Sequence, residues 1–267
     1  MAQPGILVFD SGLGGLTVFR EVAAARPDAR LIYAADDAFF PYGGHREADL
    51  VAHVVPLMGE LIAHTTPDLV VVACNTASVQ VLPQLRARYT VPFVGTVPAI
   101  KPACAASKTR RVAVLGTKAT VQREYTKALI RDFAQGCDVD LVGSAHLATM
   151  AEDALRAQPV DDAAIATEIA PCFVDRGGHR TDTVVLACTH FPLLLDQLVR
   201  LAPWPVAWID PAPAIARRVL DLLGPPSAAA PVSPASALFT SGKPISPPLA
   251  AALARFGIAA PADAPAI

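Results

Sequence analysis

Short apolar runs alternate with longer amphipathic stretches along most of the chain. "GILVF", "ARLIYAAD", "DLVVVAC", "VPFVGT", "RRVAVLGT", "VDLVGSA", "DTVVLAC" and "VAWID" have the length of strands, and most lack an alternating polar face. A strand apolar on both sides is one that helices cover on both sides. Between these runs, helical patterns occupy 16–26, 46–64, 77–88, 119–134, 162–176 and 193–201. Strand followed by helix, repeated, predicts an α/β fold with mostly parallel sheets.

The pattern also echoes itself. "DLVVVACNTASVQVLPQL" from Asp68 is similar to "DTVVLACTHFPLLLDQL" from Asp182, and "ILVFDSGLGGLTVFRE" to "VAVLGTKATVQRE". The spacing is too long for a solenoid repeat. It predicts two pseudo-symmetric α/β lobes whose strand ends face one cleft, the place where parallel sheets bind ligands. From about residue 225, "PPSAAAPVSPAS" reads as a linker. "ALFTSG" and "PPLAAALARFG" then return one strand and one helix to a lobe, and the last residues, "APADAPAI", read as frayed.

Composition narrows the chemistry. Of 267 residues, 53% are hydrophobic and 17% charged, enough apolar material for one large or two moderate cores. Lys plus Arg, at 22, nearly cancels Asp plus Glu, at 24, so the electrostatic footprint of a nucleic-acid or anionic-membrane surface is missing. A small substrate is expected. The five cysteines, Cys74, Cys104, Cys137, Cys172 and Cys188, form no C-x-x-C, which argues against a disulfide scaffold and a structural zinc. No signal peptide or membrane span is legible, so a reducing cytoplasm is the expected address.

Cys74 and Cys188 each end an apolar run and precede small polar residues, Asn75-Thr76 and Thr189-His190, at an expected helix start. Helix N–H groups and a neighbouring cation could lower a thiol by about 1–2 pH units, worth roughly 1.4–2.7 kcal/mol. Either cysteine alone also reads as a small packing residue; the duplicated context favours chemistry. Two facing thiols suit a stereocentre deprotonated on one face and reprotonated on the other. "FDSGLGGLT" supplies glycines 12, 14 and 15 but lacks the third glycine of a dinucleotide loop, and Asp10 stands at its mouth. Asp36 and Asp37 keep a nucleotide reading open. The preferred reading is a loop whose N–H groups hold a carboxylate while Asp10 faces an ammonium or assists a thiol; the alternative is a helix cap by Asp10-Ser11. "FFPYGGHRE" places Tyr42 on the same rim, and His190 tunes Cys188, relays a proton or is structural. Cys104, Cys137, Cys172, His45, His53, His64 and His179 read as structural, and no metal site is expected.

On "VFDSGLGGLTV", "PYGGHRE", "VVACNTAS", "VPAIKPA", "VAVLGTKATV" and "LACTHFPLL", the chain strongly resembles the glutamate racemases of the cofactor-independent aspartate/glutamate racemase superfamily. The resemblance covers nearly the whole chain. It implies a two-base mechanism with Cys74 acting on the D enantiomer, Cys188 on the L enantiomer, and Asp10 and His190 assisting. It implies that Ser11, Tyr42, Gly43, Asn75, Thr76 and Thr189 hold the substrate, with Thr117, Thr120 and Glu152 lining the site. The family's usual A-C-P block is replaced by "SAHLATMAED", which leaves His146 without a task.

The same resemblance implies a first lobe of 1–97 plus 212–267, a second of 98–211, a homodimer, no cofactor, and D-glutamate made for peptidoglycan. Related aspartate racemases carry histidine at the position of Ser78 and glutamate at that of His190, so glutamate is the expected substrate. A racemase of another acidic amino acid and an inactive metabolite-binding relative are the alternatives. Some members regulate DNA gyrase through extra N-terminal sequence; the chain starts four residues before its first strand, and no such role is expected.

Overall fold

The computed structural model describes residues 3–227 and 234–259. The first half runs β1 (Gly5–Asp10), α1 (Leu16–Ala25), β2 (Arg30–Ala35), α2 (Glu47–Thr65), β3 (Leu69–Val72), α3 (Asn75–Gln80), α4 (Leu82–Arg88) and β4 (Phe93–Gly95). Next come α5 (Ile100–Ala106), β5 (Arg111–Thr117), α6 (Lys118–Gln122), α7 (Glu124–Phe133), β6 (Asp138–Ser144), α8 (Leu147–Leu155) and α9 (Asp162–Ile169). The small strands β7 (Asp175–Arg176) and β8 (His179–Arg180) precede β9 (Thr183–Ala187), α10 (Leu195–Leu201), β10 (Ala207–Ile209) and α11 (Ala212–Leu223). Last are β11 (Ser236–Phe239) and α12 (Pro247–Arg255).

Two parallel sheets result, ordered β11-β2-β1-β3-β4 and β10-β9-β5-β6. Written from matching ends, β2-β1-β3-β4 has the same order as β6-β5-β9-β10. The sequence echo therefore pairs topologically equivalent strands: β1 with β5, and β3 with β9. The expected α/β fold with mostly parallel sheets is the observed one.

Alternation along a strand sends successive side chains to opposite faces. Ile6 and Val8 of β1 pack under α1, α11 and α12 with Phe19, Val219 and Leu253, while Leu7 and Phe9 face α2 with Val54 and Leu61. In the second sheet, Ala113 and Leu115 of β5 face Ala151, Ile165 and Leu198 of α8, α9 and α10. Val112 and Val114 face α5 and α7. Each sheet is thus covered on both sides, which explains why its strands read as unbroken apolar runs. Fully burying one such Leu or Ile contributes roughly 1.5–3 kcal/mol.

Three helical expectations change. The 77–88 stretch starts earlier, at Asn75, and breaks at Val81; 119–134 breaks at Arg123. The 162–176 stretch ends as helix at Ile169, passes through a 3-10 turn (Ala170–Cys172), and gives way to the β7–β8 hairpin. Gly177 and Gly178 turn that hairpin with φ of +64° and +85°, a conformation that favours glycine over helix. Helices α5, α8 and α11 lie outside the stretches whose periodicity predicts helix. Half of the expected linker, 228–233, and the expected frayed end, 260–267, lie outside the described residues.

Candidate active site

The first sheet and its loops bring Ser11, Tyr42, Gly43, Cys74, Asn75 and Thr76 to one cavity of about 20 Å³. The second brings Thr117, Cys188, Thr189 and His190 to its other side. Phe40 and Pro41, from the stretch expected on the rim, and Ala148 of α8 complete the lining. This volume is room for about one water. A roomier cavity of about 340 Å³, beside Val97, Lys101 and Phe133, contains none of the chemistry-bearing residues.

Cys74 sits just past β3 and caps α3 itself: its Sγ accepts from the Ala77 N–H at 3.5 Å and lies 3.7 Å from Ser11 Oγ. Burial, reinforced by nearby Asp10, outweighs those hydrogen bonds and pushes the thiol up to about 12. Cys74 is therefore held as a thiol, contrary to the expectation that a helix start would lower it. Asp10 at the end of β1 is fully buried and does not line the cavity. Its Oδ1 accepts from the Gly12 N–H at 2.9 Å, and its Oδ2 from Thr189 Oγ1, across the cleft, at 2.9 Å. Burial raises its pKa, with His190 opposing.

Cys188 follows β9 but caps no α-helix; the chain goes into a 3-10 turn, Phe191–Leu194, before α10. Its partner is His190, whose Nδ1 lies 3.8 Å from the thiol sulfur. On the ring's other side, Nε2 is 2.9 Å from Glu152 Oε1. The arrangement is thiol, imidazole, carboxylate in series. Burial opposes charge on His190, yet contact with Cys188 and Glu152 wins and raises its pKa well above 6.5. Burial likewise opposes the Glu152 anion, but His190, the Leu13 N–H and Arg156 outweigh it and hold its pKa below 4.5.

Glu152, on α8, is not part of the lining of that cavity: its Oε1 meets the His190 ring, and it lines a separate cavity of about 190 Å³ with Phe40 and Arg156. Thr120 also stays off the lining: with Thr117 it meets Thr76 across the cleft, each hydroxyl pair at 3.4 Å. Ser78 gives its hydroxyl to Val72 O and accepts from Thr96 N, so it faces the core. His146 is exposed at the start of α8.

The glycine loop is filled by the protein itself. A side-chain carbon on Gly14 would collide with the His190 ring, and one on Gly15 with Asp10. The Gly12 and Leu13 N–H groups hold Asp10 and Glu152. The loop's N–H groups thus do hold carboxylates, but protein ones, which leaves the nucleotide reading without its phosphate cradle. Asn75 is buried at the cavity with neither its Nδ2 nor its Oδ1 hydrogen-bonded within the protein.

Comparison with known proteins places the chain in a family. Residues 16–219 match the family described as Asp/Glu/hydantoin racemase. A glutamate racemase of Brucella anthropi is 56% identical over 225 residues, covering 84% of this chain and 81% of that protein. One from Brucella ovis is 56% identical over 219 residues, covering 82% and 79%. Among solved structures, Escherichia coli glutamate racemase in complex with L-glutamate and the activator UDP-MurNAc-Ala superposes with a TM-score of 0.88 at 39% identity, over 97% of each chain. Glutamate racemase from Thermus thermophilus in complex with β-chloro-D-alanine gives 0.72 at 28%, over 97% and 96%.

Proposed function

The chain belongs to the Asp/Glu/hydantoin racemase family and is an isomerase; from that premise we propose that it interconverts L- and D-glutamate by passing the α-proton between Cys188 and Cys74. The observation that carries this reading is the meeting of two thiols, from the ends of topologically equivalent strands, in one cavity.

In the L-to-D direction Cys188 acts as the base and His190 receives the proton its thiol gives up, an imidazolium supported by Glu152. The thiolate takes the α-proton from one face of the substrate carbon. Cys74, held as a thiol, gives its own proton to the opposite face. The turn ends with Cys74 as thiolate and Cys188 as thiol, the starting arrangement for D-glutamate. Negative charge on the α-carbon is offset by the ammonium and by hydrogen bonds to the α-carboxylate. In this reading Asn75, with Ser11, Thr76 and Thr189, makes those bonds, and Asp10 assists Cys74. No cofactor is required by this chemistry.

A cavity of about 20 Å³ does not admit an amino acid. The two lobes, taken as 1–97 plus 212–267 and 98–211, must therefore part for each substrate. The same resemblance supports a homodimer, a cytoplasmic setting, and D-glutamate supply for peptidoglycan; among the described residues no helix is long and apolar enough to cross a membrane.

The test is a substrate panel: circular dichroism of purified protein with L-glutamate, L-aspartate and L-alanine, with no cofactor added. Decay of the signal for glutamate is expected. Preference for aspartate would keep the two-thiol chemistry and change the substrate. Inactivity on all three would overturn the reading.

A further inference from the structure

Asp36 is fully buried just past β2, below the loop that supplies Phe40, Pro41, Tyr42 and Gly43 to the cleft. Three donors converge on its carboxylate. Tyr42 O–H and His53 Nε2 both reach Oδ2, the latter at 2.7 Å, and Thr240 Oγ1 donates to Oδ1 at 2.7 Å. A carboxylate only accepts, so Nε2 of His53 carries the proton.

His53 stands outside the cleft. It lies on α2, with a side chain 34% exposed beside a cavity of about 330 Å³ shared with Ala38, Glu60 and Thr240. The helix does not need it for packing, since Leu50, Val54, Leu57, Met58 and Leu61 make its buried face. Instead the ring reaches the loop twice: through Asp36 to Tyr42, and by stacking on Phe39 with centroids 4.2 Å apart. The loop's only regular structure is a 3-10 turn, Tyr42–Gly44. Burial and Asp36 keep the Tyr42 phenol well above its usual pKa, so it stays a donor fixed to Asp36.

We propose that His53 is a positioning residue for substrate binding, holding the Phe40–Gly43 segment in place through Asp36 and Tyr42. This rests on the racemase reading of the cleft. His53 touches neither thiol, so its contribution falls on binding rather than on proton transfer. Its imidazole N–H is the part that matters; without it the buried carboxylate loses one of three donors and no longer fixes the phenol in one position.

The experiment is steady-state racemisation of L-glutamate by the wild type, His53→Phe and His53→Gln. Phenylalanine keeps a ring to stack on Phe39 but has no donor; glutamine loses the ring and keeps an N–H. KM is expected to rise about five- to tenfold in His53→Phe with kcat changed less than about twofold, and to stay within about twofold of wild type in His53→Gln. Unchanged KM in His53→Phe overturns the inference, and so does a fall confined to kcat. A raised KM in His53→Gln with a normal one in His53→Phe also overturns it, by assigning the role to stacking. If His53→Phe does not fold, His53→Leu at matched thermal stability gives the same donor-free comparison. A wild type inactive on every amino acid overturns the racemase reading, and the inference with it.

Discussion

Glu152 reaches His190 from behind the cleft, its Oε1 2.9 Å from the ring Nε2, while the ring's Nδ1 faces Cys188 Sγ at 3.8 Å. The carboxylate orients the imidazole and favours its charged form. Glu152→Gln keeps the shape and removes the charge. We expect kcat/KM to fall about 100-fold, within the range of positioned acid–base groups. It must fall equally for L- and D-glutamate, because the enantiomers are equal in free energy and no variant can alter the ratio of the two values. Initial rates measured from both enantiomers check this.

The same contact sets a pH window. The His190 pKa is raised, so its stabilisation is complete below 6.5 and is lost as pH rises through the raised value. The Glu152 pKa is lowered, so its stabilisation is present above 4.5 and is lost as pH falls through the lowered value. The Tm difference between wild type and Glu152→Gln is therefore expected to be largest between those limits and to shrink at either extreme. A difference independent of pH would contradict the pairing.

Asp10 is the opposite case: burial raises its pKa, so its charge costs stability at neutral pH. Asp10→Asn keeps an oxygen for the Gly12 N–H and removes that cost. Tm is expected to rise by a few degrees, while racemisation falls at least about tenfold. Thermal melts and rates on the same preparations test both signs.

Gly14→Ala places a methyl group where the His190 ring lies. Displacing that ring separates it from Cys188, and activity should drop about 100-fold, with far-ultraviolet circular dichroism unchanged. Full activity would show that the ring position does not matter.

Arg123, between α6 and α7, crosses the cleft rim to Glu47 on α2 at 2.9 Å and to Gln80 on α3 at 3.0 Å. At 30% side-chain exposure the ion pair is worth little by itself. Its effect should appear in lobe closure: Arg123→Ala is expected to raise KM about two- to fivefold, and added salt should raise the wild-type KM toward the variant's.

Much of this was legible in the sequence because burial on both faces leaves an unmistakable pattern. The strands, the duplicated Cys74 and Cys188 ends and the returning β11–α12 segment all follow from it. What was hidden depends on distance in space. Glu152 lies on α8, outside the stretches whose periodicity predicts helix, and only the fold brings it against His190. His53 read as a structural histidine because its partner, Asp36, comes 17 residues earlier and on another element. The glycine loop reads as an anion cradle, but its Gly12, Leu13 and Gly14 N–H groups are committed to Asp10, Glu152 and the His190 ring.

The central claim is that two thiols work on opposite faces of one carbon. The most direct measurement is racemisation of L-glutamate in D2O by wild type, Cys74→Ala and Cys188→Ala, reading enantiomer and α-deuterium together by chiral mass spectrometry. The account predicts D-glutamate carrying deuterium from the wild type, and no racemisation from either variant. D-glutamate formed with the original α-hydrogen retained throughout, or racemisation surviving the loss of either thiol, would contradict it.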